Sequence, residues 1–193
     1  METIQMKRTE VKINPNKVMQ ERIAVSVGLD KYDYIMRQFY KVNVSSDNDF
    51  QRIFDGFYRV RRNDEWRKCF YDLFEGSKKC SSTFEQILKE IYDQTGRVEA
   101  SFSSKMLATI DSDKPIWDRY VLQNLQITFP VLKDKQKQME VIIDTYHDIE
   151  NWYQNFMQRD NAKECIEKFN EMLPDYRHIS DIKKIDFFLW SAR

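Results

Sequence analysis

The stretch most informative for chemistry holds Lys105 and Asp118, and by itself it reads as a lysine opening a short apolar helix, a polar turn, and an aspartate near a proline at the start of another helix. An amine without its proton attacks an electron-poor carbon, and a carboxylate beside it takes up a proton or holds developing positive charge. A free lysine has a pKa of about 10.4, so Lys105 needs partial burial or a cationic neighbour to offer a neutral amine near neutrality. Asp118 helps only within hydrogen-bond reach, and a carboxylate too close would instead hold the ammonium charged. The plainer reading makes Asp118 a helix N-cap, a position that aspartate favours, and Lys105 a solvated side chain.

The other polar constellations are weaker. Arg59, Arg61, Arg62, Arg67 and Lys68 lie close together, with Asp64 and Glu65 among them, and leave a local basic excess suited to contacts with backbone phosphates. The same run also reads as a solvated face with local ion pairs. Tyr58 and Trp66 nearby fall at core spacing. Asp144, His147 and Glu150 stand three apart on one expected helix, but a bundle di-metal site wants a second Glu-x-x-His segment, so no metal is expected. Cys69, Cys80 and Cys165 include no Cys-x-x-Cys pair, which suits neither a disulfide framework nor a four-cysteine cluster. A reducing cytoplasm is the simplest setting. No Gly-x-Ser-x-Gly elbow, Walker loop or dinucleotide fingerprint is present, and no cofactor is expected.

The stretch Ser103-Ser104-Lys105-Met106-Leu107, followed by Lys114-Pro115-Ile116-Trp117-Asp118-Arg119-Tyr120-Val121, resembles the helix-hairpin-helix DNA glycosylase superfamily over about residues 97–125. In lyase-competent members a lysine near the hairpin attacks the sugar C1′, and an aspartate after a proline-containing loop helps the base leave or activates the lysine. The resemblance gives those roles to Lys105 and Asp118, and implies a base-excision glycosylase, with or without AP lyase activity, or a degenerate descendant that binds DNA without cleaving it. Such chemistry extrudes the target base from the duplex into a pocket, where Trp117 would line the wall. The chain departs from the family where Val98-Glu99-Ala100-Ser101-Phe102-Ser103-Ser104 replaces the glycine-rich hairpin that lets backbone amides approach a phosphate.

Helices must position these residues. Phe50, Ile53, Phe54, Phe57 and Tyr58 repeat at the spacing of one buried helical face; so do Trp66, Cys69, Phe70, Leu73 and Phe74, and then Phe84, Ile87, Leu88, Ile91 and Tyr92. Asp64 is expected to cap the second of these helices and Gly76 to end it; Ser82 with Glu85 forms a capping box for the third, and Gly96 stops it. A first helix is expected from Asn14-Pro15 through Val18, Ile23, Val25 and Val27 to Gly28, and another from Asp30 to Val42. Beyond Ala100–Ile110, helices are expected from Trp117 to Leu125, Asp134 to Gln158, Ala162 to Leu173 and Ser180 to Trp190, with Pro130 inside an apolar connection. The long one should bury Met139, Ile142, Tyr146, Ile149, Tyr153 and Phe156.

The expected fold is therefore all-α, a compact multi-helix single domain over residues 1–193, similar in class to the glycosylases. The 193 residues can bury a core, and 13 Phe and 10 Tyr supply bulk for it, whereas 4 Gly and 4 Pro are too few for the turns of a β-sandwich. With 31 Lys plus Arg against 31 Asp plus Glu, any nucleic-acid binding must use a local patch. No stretch approaches the roughly 20 apolar residues of a membrane span. The partner implied is DNA; the competing expectation is a non-catalytic helical module, such as a mobile-element accessory protein, that binds another protein.

Overall fold

A computed structural model of the chain describes residues 11–21, 26–128 and 132–191. The described residues form ten α-helices and one turn of 3-10 helix, with no strand among them. The fold is all-α, as the apolar periods require. The expected core positions Ile23 and Val25, and Pro130 of the apolar connection, lie outside the described residues. Contacts gather the chain into two units, one contiguous over Ala24–Asp111 and one assembled from Met1–Ile23 and Ser112–Arg193.

The contiguous unit comprises α2 (Ser26–Gln38), α3 (Asn48–Tyr58), α4 (Asp64–Ser77), α5 (Phe84–Thr95) and α6 (Ala100–Ile110). Its core is an aromatic cluster. Phe39 lies 4.7 Å from Phe74 between ring centroids, Phe54 lies 5.4 Å from Phe74 and 5.9 Å from Phe50, and Trp66 stacks on Phe70 at 5.0 Å. Such tilted and edge-on pairs add to the area they bury. Local capping sets the helix ends. Asp47 accepts the Phe50 N–H at 2.7 Å to open α3, which closes on Arg59 in the left-handed region at φ 55°. Gly96, at φ 67°, closes α5 by donating its N–H to the Tyr92 carbonyl.

Several boundaries differ from expectation by small, explicable shifts. Asn63, not Asp64, caps α4 and accepts the Trp66 N–H at 3.1 Å, which leaves Asp64 in the first turn, where a carboxylate also suits the helix dipole. The capping box of α5 belongs to Thr83 and Gln86, one residue beyond Ser82 and Glu85, because Thr-x-x-Gln satisfies the same two backbone donors. Gly28 and Gly76 lie inside α2 and α4, where glycine costs about 1 kcal/mol but does not by itself end a helix. Helix α2 stops at Gln38 rather than Val42. The following turn is fastened from outside, since Glu75 accepts the Val44 N–H at 2.8 Å and Lys78 donates to the Val42 carbonyl at 2.6 Å.

The two-segment unit contains α1 (Pro15–Glu21), α7 (Arg119–Asn124), α8 (Lys135–Met157), α9 (Asp160–Met172), the 3-10 turn Pro174–Tyr176, and α10 (Asp181–Ser191). Helix α8 buries all six positions expected of it, together with Thr145. Helix α9 packs against α1, α8 and α10, and α10 packs against α7. The early segment is tied in by a reciprocal pair: the Ile13 N–H donates to Asn161 Oδ1 at 2.9 Å, and Asn161 Nδ2 donates back to the Ile13 carbonyl at 2.8 Å. Among the described residues, no helix is long and apolar enough to cross a membrane.

Candidate functional site

The contiguous unit carries an open cleft of about 510 Å³ lined by Arg61, Arg62, Asn63, Glu65, Trp66, Cys69, Gln94, Thr95 and Arg97. Two structural features place it there. The left-handed Arg59 turns the chain out of α3 so that Val60–Asn63 leads directly into the cap of α4, and Gly96 turns the end of α5 so that Arg97 returns toward the same space. Glu99 organises the cations. Its carboxylate, 9% exposed, takes a bidentate fork from Arg62 through Nε at 2.9 Å and Nη2 at 3.0 Å, and a third bond from Arg97 Nε at 2.9 Å. Glu99 therefore makes no side-chain cap for α6, although it occupies the cap position. The Arg62 guanidinium also lies over the rings of Trp66 and Phe102, at 5.8 and 5.3 Å. Planar guanidinium forks held in this way suit phosphate or carboxylate oxygens.

The five basic residues anticipated from sequence divide sharply. Arg61 is exposed in the cleft, and Arg62 lines it while paired with Glu99. Arg59 is exposed at the end of α3. Arg67 is engaged by Asp55 at 2.7 Å and by Asp64 at 3.4 Å, and Lys68 by Asp72 at 2.7 Å. Arg97 was missed because it lies far along the chain from the basic run; the only sequence signal for it is its place directly after the helix-stopping Gly96.

Lys105 and Asp118 fall in different units, and each has its own surroundings. Lys105 is buried at 8% exposure, with Nζ over the rings of Tyr58 and Phe102 at 5.5 and 5.3 Å and donating to the Tyr58 carbonyl at 3.5 Å. The simple expectation of a solvated lysine fails here, because α6 is buried along almost its whole length, from Ala100 to Thr109 apart from Ser101. Asp118 caps α7 and accepts the Tyr120 N–H at 2.9 Å. Trp117 is buried beside it.

Around Asp118 the two-segment unit assembles a charged cluster that sequence reasoning did not single out. Asp186 on α10, 2% exposed in its side chain, accepts from the Tyr153 hydroxyl of α8 and from the Ile116 backbone N–H, while Lys183 Nζ stands 3.7 Å from its second oxygen. Burial raises the Asp186 carboxyl to about 6, with Lys183 and its hydrogen bonds opposing and Asp118 adding to the rise. Burial lowers the Lys183 ammonium, against the attraction of Asp186 and Asp118, and it raises the Tyr153 phenol well above its ordinary value. Within this unit Lys183 is electrostatically coupled to Asp118. The i, i+3 spacing of Lys183 and Asp186 was visible in the sequence, but nothing local pointed to Tyr153.

Glu150 is shared by Lys114 at 2.8 Å and His147 at 3.1 Å, and Asp144 is exposed. Among the described residues no three His, Cys, Asp or Glu side chains gather as metal ligands. The three cysteines are unbridged; Cys165 is buried, and desolvation pushes its thiol up to about 12. Compared with known protein families, with curated proteins and with solved structures, the chain matches none.

Proposed function

We propose that the chain is a DNA-binding protein of the binding-only kind among glycosylase-like folds, and that the cleft between the turn after α3 and the end of α5 takes backbone phosphate. The observation that carries this reading is the convergence of Arg61, Arg62 and Arg97 on one open cleft, with Glu99 holding two of the three guanidiniums in place. Arg59, exposed on the same connection, extends the cationic surface. Arg67 and Lys68 contribute less, because carboxylates already hold them. Lys105, buried over the rings of Tyr58 and Phe102, is not among the residues that line the arginine cleft, which favours binding over Schiff-base chemistry there.

Fluorescence anisotropy with labelled DNA over a series of salt concentrations tests the reading. Affinity should fall steeply as salt rises, and Arg61→Ala and Arg97→Ala should each weaken binding by about 3- to 10-fold while flattening the salt slope by about one counterion. Borohydride treatment on abasic-site DNA should trap no adduct; an adduct abolished by Lys105→Ala would restore the catalytic version. Absence of DNA binding at low salt would reject the proposal in favour of a protein-interaction module.

A further inference from the structure

Resting on the phosphate reading above, we infer that the Arg61, Arg62 and Arg97 cleft takes the terminal phosphate of a nucleic-acid strand rather than a run of internal phosphodiesters. Duplex backbone presents one charge per roughly 1.7 Å of helix axis, so a protein that tracks it needs cations laid out along a surface. Here they are gathered. Three guanidiniums surround one concave space of about 510 Å³, within the size range of small-ligand pockets, and the next basic residues along α4, Arg67 and Lys68, are drawn to Asp55, Asp64 and Asp72.

The donor inventory points the same way. Arg62 spends Nε and Nη2 on Glu99 and Nη1 on the Arg61 carbonyl, so it acts as a fixed positive wall. Arg97 commits only Nε, which leaves both terminal nitrogens for a ligand. Arg61 contributes a whole exposed guanidinium. Asn63 uses its side-chain oxygen to cap α4, and its amide nitrogen remains a donor on the cleft wall. A phosphodiester offers two non-bridging oxygens and a single charge. A terminal phosphate offers three oxygens and a charge of about −1.5 to −2 near neutrality, so it can engage several forks at once. Glu65, exposed on the same wall, lowers the positive potential without removing it, since three guanidiniums face Glu99 and Glu65.

Paired oligonucleotides identical except for a phosphate or a hydroxyl at the 5′ end, with a second pair differing at the 3′ end, distinguish the possibilities by anisotropy at one fixed ionic strength. The full chain should bind one phosphorylated end at least about tenfold more tightly than its hydroxyl counterpart. Arg61→Ala and Arg97→Lys should each erode that preference, while Arg52→Ala, which changes an exposed cation outside the cleft, should keep it. Salt-sensitive binding that is equal for phosphorylated and unphosphorylated ends overturns this inference and leaves the backbone reading standing. Binding to neither strand overturns both. The comparison of ends in the unmodified chain decides the matter even where a variant fails to fold, as judged by its circular dichroism.

Discussion

Asp186 must carry its negative charge almost out of reach of solvent, and the cost of doing so is a stability that depends on pH. Its folded pKa, about 6, lies above the ordinary carboxylate value of 3.8. The folded state therefore binds the proton more tightly than the unfolded chain, and the associated stabilisation is complete below about pH 3.8 and lost as pH rises through about 6. Chemical denaturation at a series of pH values should find this contribution as a gain on the order of 2 kcal/mol between pH 7 and pH 4, relative to Asp186→Asn. A difference curve that is flat over that range would contradict the assignment. The residue scale is also where the sequence was least legible. The cap role of Asp118 could be read from its neighbours, because capping is local chemistry. Its coupling to Lys183 and Asp186 arises only when α10 packs against α7, and the burial of Lys105 only when α6 brings it against Tyr58 of α3.

The apolar period located most helices, since a buried face must recur every three or four residues whatever the tertiary context. Helix α6 runs over Ala100–Ile110 as expected, and Asp134 opens α8 as expected. Ends were harder, because neighbouring residues compete for one cap. Asn63 beside Asp64, and Thr83 beside Ser82, are chemically near-equivalent choices settled by which carbonyl begins the helix ladder. Single substitutions separate them. Thr83→Ala should cost about 1 kcal/mol in urea denaturation, and Ser82→Ala only a few tenths. Equal costs at the two positions would place the capping box wrongly. The same competition explains the missed part of the cleft: helical periodicity finds faces, whereas Arg97 enters the cleft through the left-handed turn at Gly96.

At the scale of the whole molecule, length and composition favoured one domain and carried no glycine- or proline-rich linker to divide it, yet contacts gather into a contiguous unit and a two-segment unit. The contiguous unit holds its own aromatic core of Phe39, Phe50, Phe54, Phe70 and Phe74, all with essentially no exposure. Residues 24–111 produced alone should therefore be helical by circular dichroism and unfold cooperatively. Phe54→Ala in that fragment should cost about 3–5 kcal/mol, a large fraction of the stability of so small a domain. A fragment that gives only a broad, non-cooperative melt would mean that its core depends on the rest of the chain.

The mutual grip of Ile13 and Asn161 spans 148 residues and sets a schedule for biosynthesis. At roughly 5–20 residues per second, a ribosome that has made Ile13 needs on the order of ten seconds to deliver its mate. During that wait the entire contiguous unit emerges and is free to fold, while the leading strip of the other half stays unsheltered. A chaperone engaging this nascent polypeptide would thus meet a finished body tethered behind a segment whose mate, Asn161, has yet to be made.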